Sequence, residues 1–469
     1  MSSSCRRNTK SSKPHGKEQI KHSLGSLPWK DWSVLPCQRE DAVFHKWSLV
    51  RDTILKRLDL RLVDTIGCYR VGTSYNPRRT YPTILIFGDH ANHPNTIEKS
   101  LEIVNEILET LDLSDVRVEF IEDQTSWCAD DDEAQETGVF DRRVIQSPSM
   151  PGQSLSLEEN SKSSGTLGGF FELKLPGSQE PKVVAVTCFH VLNPTEKGKT
   201  AATKTRIRRW RKEGILPDDQ ETSDLTVYHP SPRAIQEKAG ALKKQVADIQ
   251  SPRYILWDEL ASNDQPLRKG DRMMYEGDKQ QLLNCKTFIQ DLKDFDPGFG
   301  RVWAASGSRT RKALTIQSGR HKEPTCCDWA LIEIPDERLS SNTTPDGHVL
   351  KRSPVPTNFD NVRLCLWGQK SGYSEGDYYS LQDAKVKHQI IEGQEVSIAT
   401  IEHTVIGSGT QFPFFAKPGD SGSLVFTKDS HVVVGMLFAG NKRTSNFTHI
   451  DDLIADIKDV TGATQVRLR

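Results

Sequence analysis

The feature of this 469-residue sequence that most restricts its fold is a succession of short apolar runs separated by turns containing Gly and Pro. Such runs are typical of β-strands, and many of them in one region indicate an all-β sandwich or barrel. We expect a short helix over Ile450–Ile457 to follow the last strand. The predicted strands are Gly165–Leu175, Val183–Leu192, Gly300–Ser306, Cys327–Ile334, Val362–Gly368, Gln394–Ile401, Ser421–Phe426 and His431–Gly440.

Residues 196–295 interrupt these strands and have a different character. Thr203–Gly214 is strongly basic; a nuclear localisation signal, an anion-binding patch and a solvated basic surface are the competing interpretations, and we favour the last. Apolar residues then recur at heptad spacing, namely Ile235, Ala239, Leu242, Val246 and Ile249. This spacing predicts an amphipathic helix packed on the β-structure or on a partner protein, although Gly240 in its middle disfavours a helix.

The N-terminal part of the sequence predicts a smaller α/β unit over residues 41–124. A helical pattern at Val43–Leu58 is followed by a strand-like run at Thr65–Gly72. Two further strand-like runs, Thr83–Phe87 and Val116–Glu122, flank a second amphipathic helical pattern. This strand–helix–strand order favours a parallel strand pair joined by a crossover helix.

Two segments of biased composition divide the chain. Residues 1–40 begin with a basic, Ser-rich stretch that predicts a disordered tail, and residues 125–163 are acidic and then rich in Ser, Pro and Gly, which predicts a linker. The β-rich region then corresponds to a domain over residues 164–469.

The loop Gly88–Asn95 holds two histidines and an aspartate, and a polar helix-capping loop is favoured there over a metal or phosphate site.

Charge and cysteine content exclude several classes of protein. The formal net charge of −1 gives no reason to expect binding to nucleic acid or to an anionic membrane surface. No uninterrupted apolar run reaches the roughly 18 residues of a transmembrane helix. The nine cysteines are scattered and form no CxxC pair, and the N-terminus lacks the apolar stretch of a signal peptide. We therefore expect an intracellular protein, cytoplasmic or nuclear, with reduced thiols.

Three residues far apart in the sequence suggest nucleophilic catalysis. Ser421 lies between two glycines in KPGDSGSLVF, but a serine hydroxyl is a poor nucleophile unless a base takes its proton and a third group orients that base. Among thirteen histidines, His190 ends a long apolar run, and Asp328 opens the apolar run DWALIEI, where a buried charge needs a partner. This order differs from the Ser-first order of α/β-hydrolases and from the Asp-first order of subtilisin-like enzymes.

With these motifs in this order, the segment from about 164 to 460 resembles a trypsin-like (chymotrypsin-fold, PA clan) serine peptidase. The motifs that carry the resemblance are GTLGGF, TCFHV, DWALIEI, KPGDSGSLVF and VVGMLFAG. The whole arrangement is similar to large intracellular trypsin-like proteins of filamentous fungi. The resemblance implies a multidomain protein, in which a double β-barrel with a helical insertion at 196–295 follows a small α/β domain.

The resemblance also implies a role for each motif residue. His190 is the general base, Asp328 orients it, Ser421 is the nucleophile, and the N–H groups of Gly419 and Ser421 form the oxyanion hole. Asp360 and the acidic stretch Asp294–Asp296 are the alternatives to Asp328.

Specificity follows from the same resemblance. Phe415 stands six residues before the nucleophile, where trypsin has an aspartate, and Phe438, Ala439 and Gly440 are expected to form the opposite wall of the pocket. This predicts an uncharged primary pocket for a small or apolar side chain.

The sequence departs from secreted relatives at two points. Lys417 stands where a cysteine is expected, and Cys188 has no evident mate, which agrees with an intracellular location. No IVGG-like start is present, so activation by cleavage is not expected, and we expect Asp420 to have a structural role.

We predict a serine endopeptidase that acts on polypeptides without metal or cofactor. The alternative is a degenerate or gated peptidase that binds peptides, with a protein partner at the N-terminal unit or at the insertion.

Overall fold

The structure is a computed structural model that describes residues 32–89, 93–122, 140–145, 148–157, 163–217, 219–318, 321–353, 355–356, 359, 362–391, 394–441 and 443–469. Most of the predicted tail and linker, part of the loop Gly88–Asn95, and Asp360 lie outside these residues. The described chain is mostly β-sheet with several helices. Among the described residues, no helix is both long enough and apolar enough to cross a membrane.

The strands and helices are numbered separately in chain order. The strands of the described residues are β1 (Ser33–Leu35), β2 (Thr65–Gly72), β3 (Thr80–Gly88), β4 (Arg117–Glu122), β5 (Ser154–Leu157), β6 (Gly165–Thr166), β7 (Gly169–Lys174), β8 (Lys182–Thr187), β9 (Thr226–Tyr228), β10 (Gly298–Ala305), β11 (Thr310–Ser318), β12 (His321–Cys326), β13 (Ala330–Glu333), β14 (Arg363–Gly368), β15 (Gly372–Ile391), β16 (Gln394–Gly407), β17 (Leu424–Thr427), β18 (Val433–Gly440), β19 (Thr444–His449) and β20 (Gln465–Leu468). The helices are α1 (Trp47–Arg57), α2 (Pro94–Thr110), α3 (Ala201–Glu213), α4 (Pro232–Ile249), α5 (Pro252–Ser262), α6 (Lys269–Asp294) and α7 (Ile450–Thr461).

Six strands of one sheet close into a ring. Strand β14 pairs with β17, and the pairing continues through β18, β19, β16 and β15, which pairs back with β14. The second large sheet has the strand order β20-β7-β8-β13-β10-β9-β5-β6. The ring and the second sheet enclose separate apolar clusters, one around Phe415 and Phe447 and one around Phe170 and Trp329. Strands β11 and β12 form a two-stranded hairpin of their own.

The N-terminal strands extend the sheet that contains the ring. Strands β3 and β4 are parallel and are connected through α2, which confirms the predicted crossover unit. Strand β2 pairs antiparallel with β15, where Ile66 lies opposite Ala384. One apolar cluster therefore contains N-terminal residues together with Tyr379, Leu381 and Val386 of β15. The N-terminal unit and the ring share both a sheet and a core.

Two predicted boundaries need correction. Residues Ser33–Leu35, placed in the tail over 1–40, form β1, because Trp32 and Val34 are buried against the N-terminal core. Residues Ser154–Leu157, placed in the linker over 125–163, form β5, because Leu155 and Leu157 alternate into the core of the second sheet. The serines of this strand masked its apolar alternation in the sequence.

The described residues of the insertion form four α-helices, of which the sequence predicted one. Helix α4 runs through Gly240, and its apolar positions pack on Cys285, Phe288 and Leu292 of α6. Helices α5 and α6 also meet, through Tyr254, Trp257 and Tyr275. In α3 the basic residues lie beside acids: Arg211 contacts Glu196 at 2.6 Å, and Arg209 contacts Asp219 at 2.8 Å. These ion pairs are consistent with a solvated basic surface, and they neutralise the positive charge that an anion-binding site would need.

Candidate active site

His190 and Asp328 are brought together by strand pairing. Strands β8 and β13 are antiparallel, with Thr187 opposite Ala330, so the residues just after β8 and just before β13 lie at the same end of the sheet. The strand predicted to reach Leu192 ends at Thr187, and His190 begins a turn of 3₁₀-helix instead. This turn lets the backbone N–H of His190 donate to Asp328 Oδ1 at 3.0 Å.

The two side chains are also in direct contact. His190 Nδ1 lies 2.5 Å from Asp328 Oδ2, and the side chains retain 14% and 4% of their exposure, respectively. Burial acts to raise the pKa of the Asp328 carboxyl, but the imidazole of His190 outweighs it and holds that pKa below its ordinary value. The carboxylate is therefore ionised at neutral pH and fixes the ring so that Nε2 is its other functional nitrogen.

Ser421 occupies a tight turn that requires glycine. Gly419 and Gly422 have φ angles of +100° and +97°, which residues with a side chain rarely adopt. A Cβ at Gly422 would also lie 2.3 Å from Thr187 Oγ1, so the turn packs directly on the segment that leads to His190. The N–H groups of Gly419 and Ser421 donate to no other protein atom within the described residues.

Asp420 anchors the turn from inside the protein. It is fully buried, and its Oδ1 accepts hydrogen bonds from the N–H groups of Lys370 (2.8 Å) and Ser371 (3.1 Å). Its Oδ2 accepts from Ser371 Oγ (2.5 Å) and the Lys417 N–H (2.7 Å). Burial raises the pKa of Asp420, although these hydrogen bonds oppose the shift. The carboxyl thus has four donors from its own chain.

Further hydrogen bonds join the Ser421 turn to both sheets. The N–H of Thr166, in β6, donates to the Ser421 carbonyl oxygen at 2.8 Å, and its hydroxyl donates to the Gly419 carbonyl oxygen at 3.0 Å. Ser421 Oγ itself donates to the carbonyl oxygen of Phe438 at 3.1 Å. Ser421, the candidate nucleophile, therefore lies between the two sheets, and its hydroxyl points towards β18.

A cysteine lies beside the His190–Asp328 pair. The Cys188 sulfur, a ring nitrogen of His190 and a carboxylate oxygen of Asp328 lie within 4.8 Å of one another, a spacing that a metal ion can bridge. Here the Cys188 thiol donates to the Leu437 carbonyl oxygen at 3.1 Å, while His190 Nδ1 contacts Asp328. These groups are already engaged with protein partners, which suits a catalytic His–Asp pair better than a ligand set.

The predicted pocket residues lie in two different places. Phe415 is 1% exposed and packs in the apolar core of the ring, in contact range of Gly376. Phe438 and Ala439 instead line a pocket of about 50 Å³ together with Cys326, two residues before Asp328. Gly440 ends β18 beside them. The other residues lining this pocket include two lysines of β15, Lys385 and Lys387, which no sequence motif marks.

Comparisons with known proteins give matches in structure alone. No family model and no curated protein matches this chain. Thermobifida fusca protease A is 10% identical, with a TM-score of 0.29, over 65% of this chain and 94% of its own. A Nocardiopsis protease is 11% identical, with a TM-score of 0.29, over 68% and 98%. Cellulomonas bogoriensis chymotrypsin is 14% identical, with a TM-score of 0.22, over 36% and 75%. Similarity at this level assigns no function to the chain.

Proposed function

We propose that this protein is a serine endopeptidase of the chymotrypsin type, with the strand ring and the second sheet as its two barrels. The observation that carries the proposal is the Asp328–His190 contact at the same site as a glycine-flanked turn that presents Ser421. A carboxylate, an imidazole and a serine in this order are the parts of a nucleophilic triad. The chain supplies all three from segments that are far apart in sequence.

The chemistry follows from the contacts. His190 Nε2 takes the Ser421 proton while Oγ attacks the scissile carbonyl carbon, and Asp328 stabilises the imidazolium through Nδ1. The imidazolium then protonates the leaving amine, which departs and leaves an acyl-enzyme. Water attacks the acyl carbon and gives its proton to His190, which returns one to Ser421 as the acid is released.

The turn also supplies electrostatic stabilisation. The N–H groups of Gly419 and Ser421 are the donors for the developing oxyanion, and one such donor typically contributes about 3 kcal/mol to transition-state stabilisation. Asp420 holds the turn in this shape through its contacts with Lys370, Ser371 and Lys417. Because these donors come from the folded chain, we infer that no cleavage event is needed to assemble the site.

Substrate specificity is proposed from the residues around β18. Strand β18 pairs with β17 as far as Met436 and with β19 as far as Gly440. An extended peptide can add along the Phe438–Gly440 edge next to Ser421. Because Phe415 lies in an apolar core, we propose that the substrate residue whose carbonyl is attacked has an uncharged side chain.

The reduced, buried cysteines of the described residues support an intracellular location.

A gated peptide-binding protein is the second candidate. It is favoured by the hydrogen bond from Ser421 Oγ to the Phe438 carbonyl oxygen, because this acceptor cannot take the hydroxyl proton. The hydroxyl must turn from Phe438 to His190 before it can attack. If a partner at the N-terminal unit or the insertion controls that step, the isolated chain binds peptides without cleaving them.

A fluorophosphonate probe distinguishes the two candidates. The enzyme hypothesis predicts that the folded full-length chain is labelled, that labelling is lost in Ser421→Ala, and that it persists in the control Ser430→Ala, whose serine lies in a surface turn. It also predicts cleavage of peptides with an apolar residue before the scissile bond in preference to Arg peptides. A folded chain, verified by circular dichroism, that is not labelled and cleaves neither series contradicts the proposal and supports the binding protein.

A further inference from the structure

The carbonyl oxygen of Gly419 accepts hydrogen bonds from two buried side chains. Thr166 Oγ1 donates to this oxygen at 3.0 Å, and the side-chain amide of Gln369 donates to it through Nε2 at 2.9 Å. Thr166 belongs to β6 of the second sheet, whereas Gln369 directly follows β14 of the ring. The carbonyl group beside the proposed oxyanion donor is therefore held by donors from both sheets.

The amide group of Gln369 has one orientation that suits its neighbours. Its Nε2 also donates to Ser164 Oγ at 2.9 Å, so both N–H groups of the amide have an acceptor. A backbone carbonyl only accepts hydrogen bonds, so a flipped amide would place Oε1 against the Gly419 oxygen. The backbone N–H of Gln369 donates to Thr166 Oγ1 at 3.1 Å, which joins the two donors to each other.

The segment that contains Gln369 packs directly on the turn. A Cβ at Gly419 would lie 2.7 Å from Lys370 Cγ and 3.1 Å from Gln369 Nε2, so both side chains occupy space that a Cβ would need. The Lys370 N–H donates to Asp420 Oδ1 at 2.8 Å, and Lys370 Nζ lies 3.2 Å from Glu237 Oε2 of α4. The backbone next to Gln369 is thus fixed by the Asp420 anchor and by the helical insertion.

The orientation of the Gly419 carbonyl affects where the Gly419 N–H points. Both groups are attached to one Cα, and glycine is the residue that rotates most freely about that atom. Hydrogen bonds to the carbonyl reduce this freedom and leave the N–H available, since it donates to no other protein atom within the described residues. Donors that are fixed in advance stabilise a developing oxyanion because they need no reorientation during the reaction.

We propose that Gln369 is a positioning residue for the oxyanion hole. Its side-chain amide, together with the Thr166 hydroxyl, holds the Gly419 carbonyl so that the Gly419 N–H points at the developing oxyanion. This inference rests on the proposed peptidase function and adds to it a residue that acts through Gly419.

The first test is Gln369→Leu in the full chain, which keeps the approximate size of the side chain and removes both donors. One hydrogen bond of ordinary net strength corresponds to about a factor of ten, so we expect about tenfold lower kcat with KM within about twofold of the wild type. A peptide aldehyde, which adds to Ser421 Oγ and places its oxygen in the hole, should bind about tenfold more weakly. Gln389→Leu is the matched control, because half-buried Gln389 donates through Nε2 to the Ser308 carbonyl oxygen, and it should keep the wild-type kcat.

Gln369→Glu gives a readout that loss of packing alone would not produce. An ionised carboxylate has no proton to donate to the Gly419 oxygen and is repelled by it, whereas the protonated acid restores one donor. The ratio of variant kcat to wild-type kcat should therefore rise as pH falls from about 8 to about 5, although protonation of His190 slows both proteins.

The outcomes separate this inference from the proposed function. A wild type that is neither labelled by a fluorophosphonate nor able to cleave peptides overturns the peptidase function and this inference with it. An active wild type together with an unchanged kcat in folded Gln369→Leu overturns the positioning role alone, and so does a Gln369→Glu ratio that is constant with pH. If Gln369→Leu does not fold, the pH dependence of the Gln369→Glu ratio decides.

Discussion

His190 and Asp328 belong to the second sheet, whereas Ser421 and its turn belong to the strand ring, and the two halves are fixed by different interactions. The first half depends on a hydrogen bond between side chains, with His190 Nδ1 2.5 Å from Asp328 Oδ2. The second half depends on backbone shape: two glycines at positive φ and a buried carboxylate that binds the loop after β14. Removing the hydrogen bond between His190 and Asp328 should therefore affect the chemistry alone, and removing the Asp420 anchor should affect both chemistry and folding.

The largest effect is expected for Asp328→Asn. The amide keeps the shape of the side chain but no longer stabilises an imidazolium, and it favours the wrong tautomer of His190, which costs about 10⁴-fold in kcat for a triad of this kind. We expect little change in KM or in the melting temperature. Steady-state kinetics and thermal unfolding measure these quantities, with Asp336→Asn, at the start of a surface 3₁₀ turn, as the control. A loss below tenfold would exclude Asp328 as the orienting carboxylate.

A smaller loss of activity with a larger loss of stability is expected for Asp420→Asn. The amide presents N–H groups where Oδ2 now accepts from Lys417 and Ser371, so a buried donor loses its acceptor at a cost of roughly 1–3 kcal/mol. The displaced turn would misplace the N–H groups of Gly419 and Ser421, the proposed oxyanion donors, and we expect about 10²–10³-fold lower kcat. Urea unfolding and fluorophosphonate labelling rates are the measurements. Wild-type stability with lowered activity, the Asp328→Asn pattern, would contradict an anchoring role.

Sequence patterns identified candidate residues for the site, whereas much of the architecture around them was not predicted. Ser421, His190 and Asp328 could be selected as candidates because their motifs are local and their order is informative. The hydrogen bonds from Lys370 and Ser371 to Asp420 were not predicted, because backbone N–H donors cannot be recognised from residue identity. Helix α6 and strand β15 were missed because charged residues cover much of both, and the pairing of β15 with β2 joins segments that are distant in sequence. Around Lys385 and Lys387, charged and apolar residues alternate too weakly to predict a strand.

Glu402 connects the two halves and should give the smallest effect on activity, because its role is visible only in the pH dependence of stability. It belongs to β16 of the ring, and its carboxyl accepts from the Cys326 N–H (2.8 Å) and Thr325 Oγ1 (2.7 Å), just before Asp328. Burial raises the pKa of Glu402 to about 7, and that of Asp383, also in the ring, to about 6; nearby Lys385 opposes both shifts. Between the ordinary carboxyl pKa and these values, the native state keeps protons that the unfolded state has lost.

Stability should therefore fall as pH rises from about 4.5 to about 7, by roughly 3 kcal/mol from Glu402 if its shift is expressed in full. In Glu402→Gln the amide oxygen can still accept from the Cys326 N–H, and the titration is gone. The pH dependence of the free energy of unfolding should then be shallower over this window than in the wild type, while the part due to Asp383 remains. Urea unfolding at pH 5, 6, 7 and 8 measures the difference. Parallel curves would mean that Glu402 titrates normally and that the contact between the ring and the Asp328 segment is open to water.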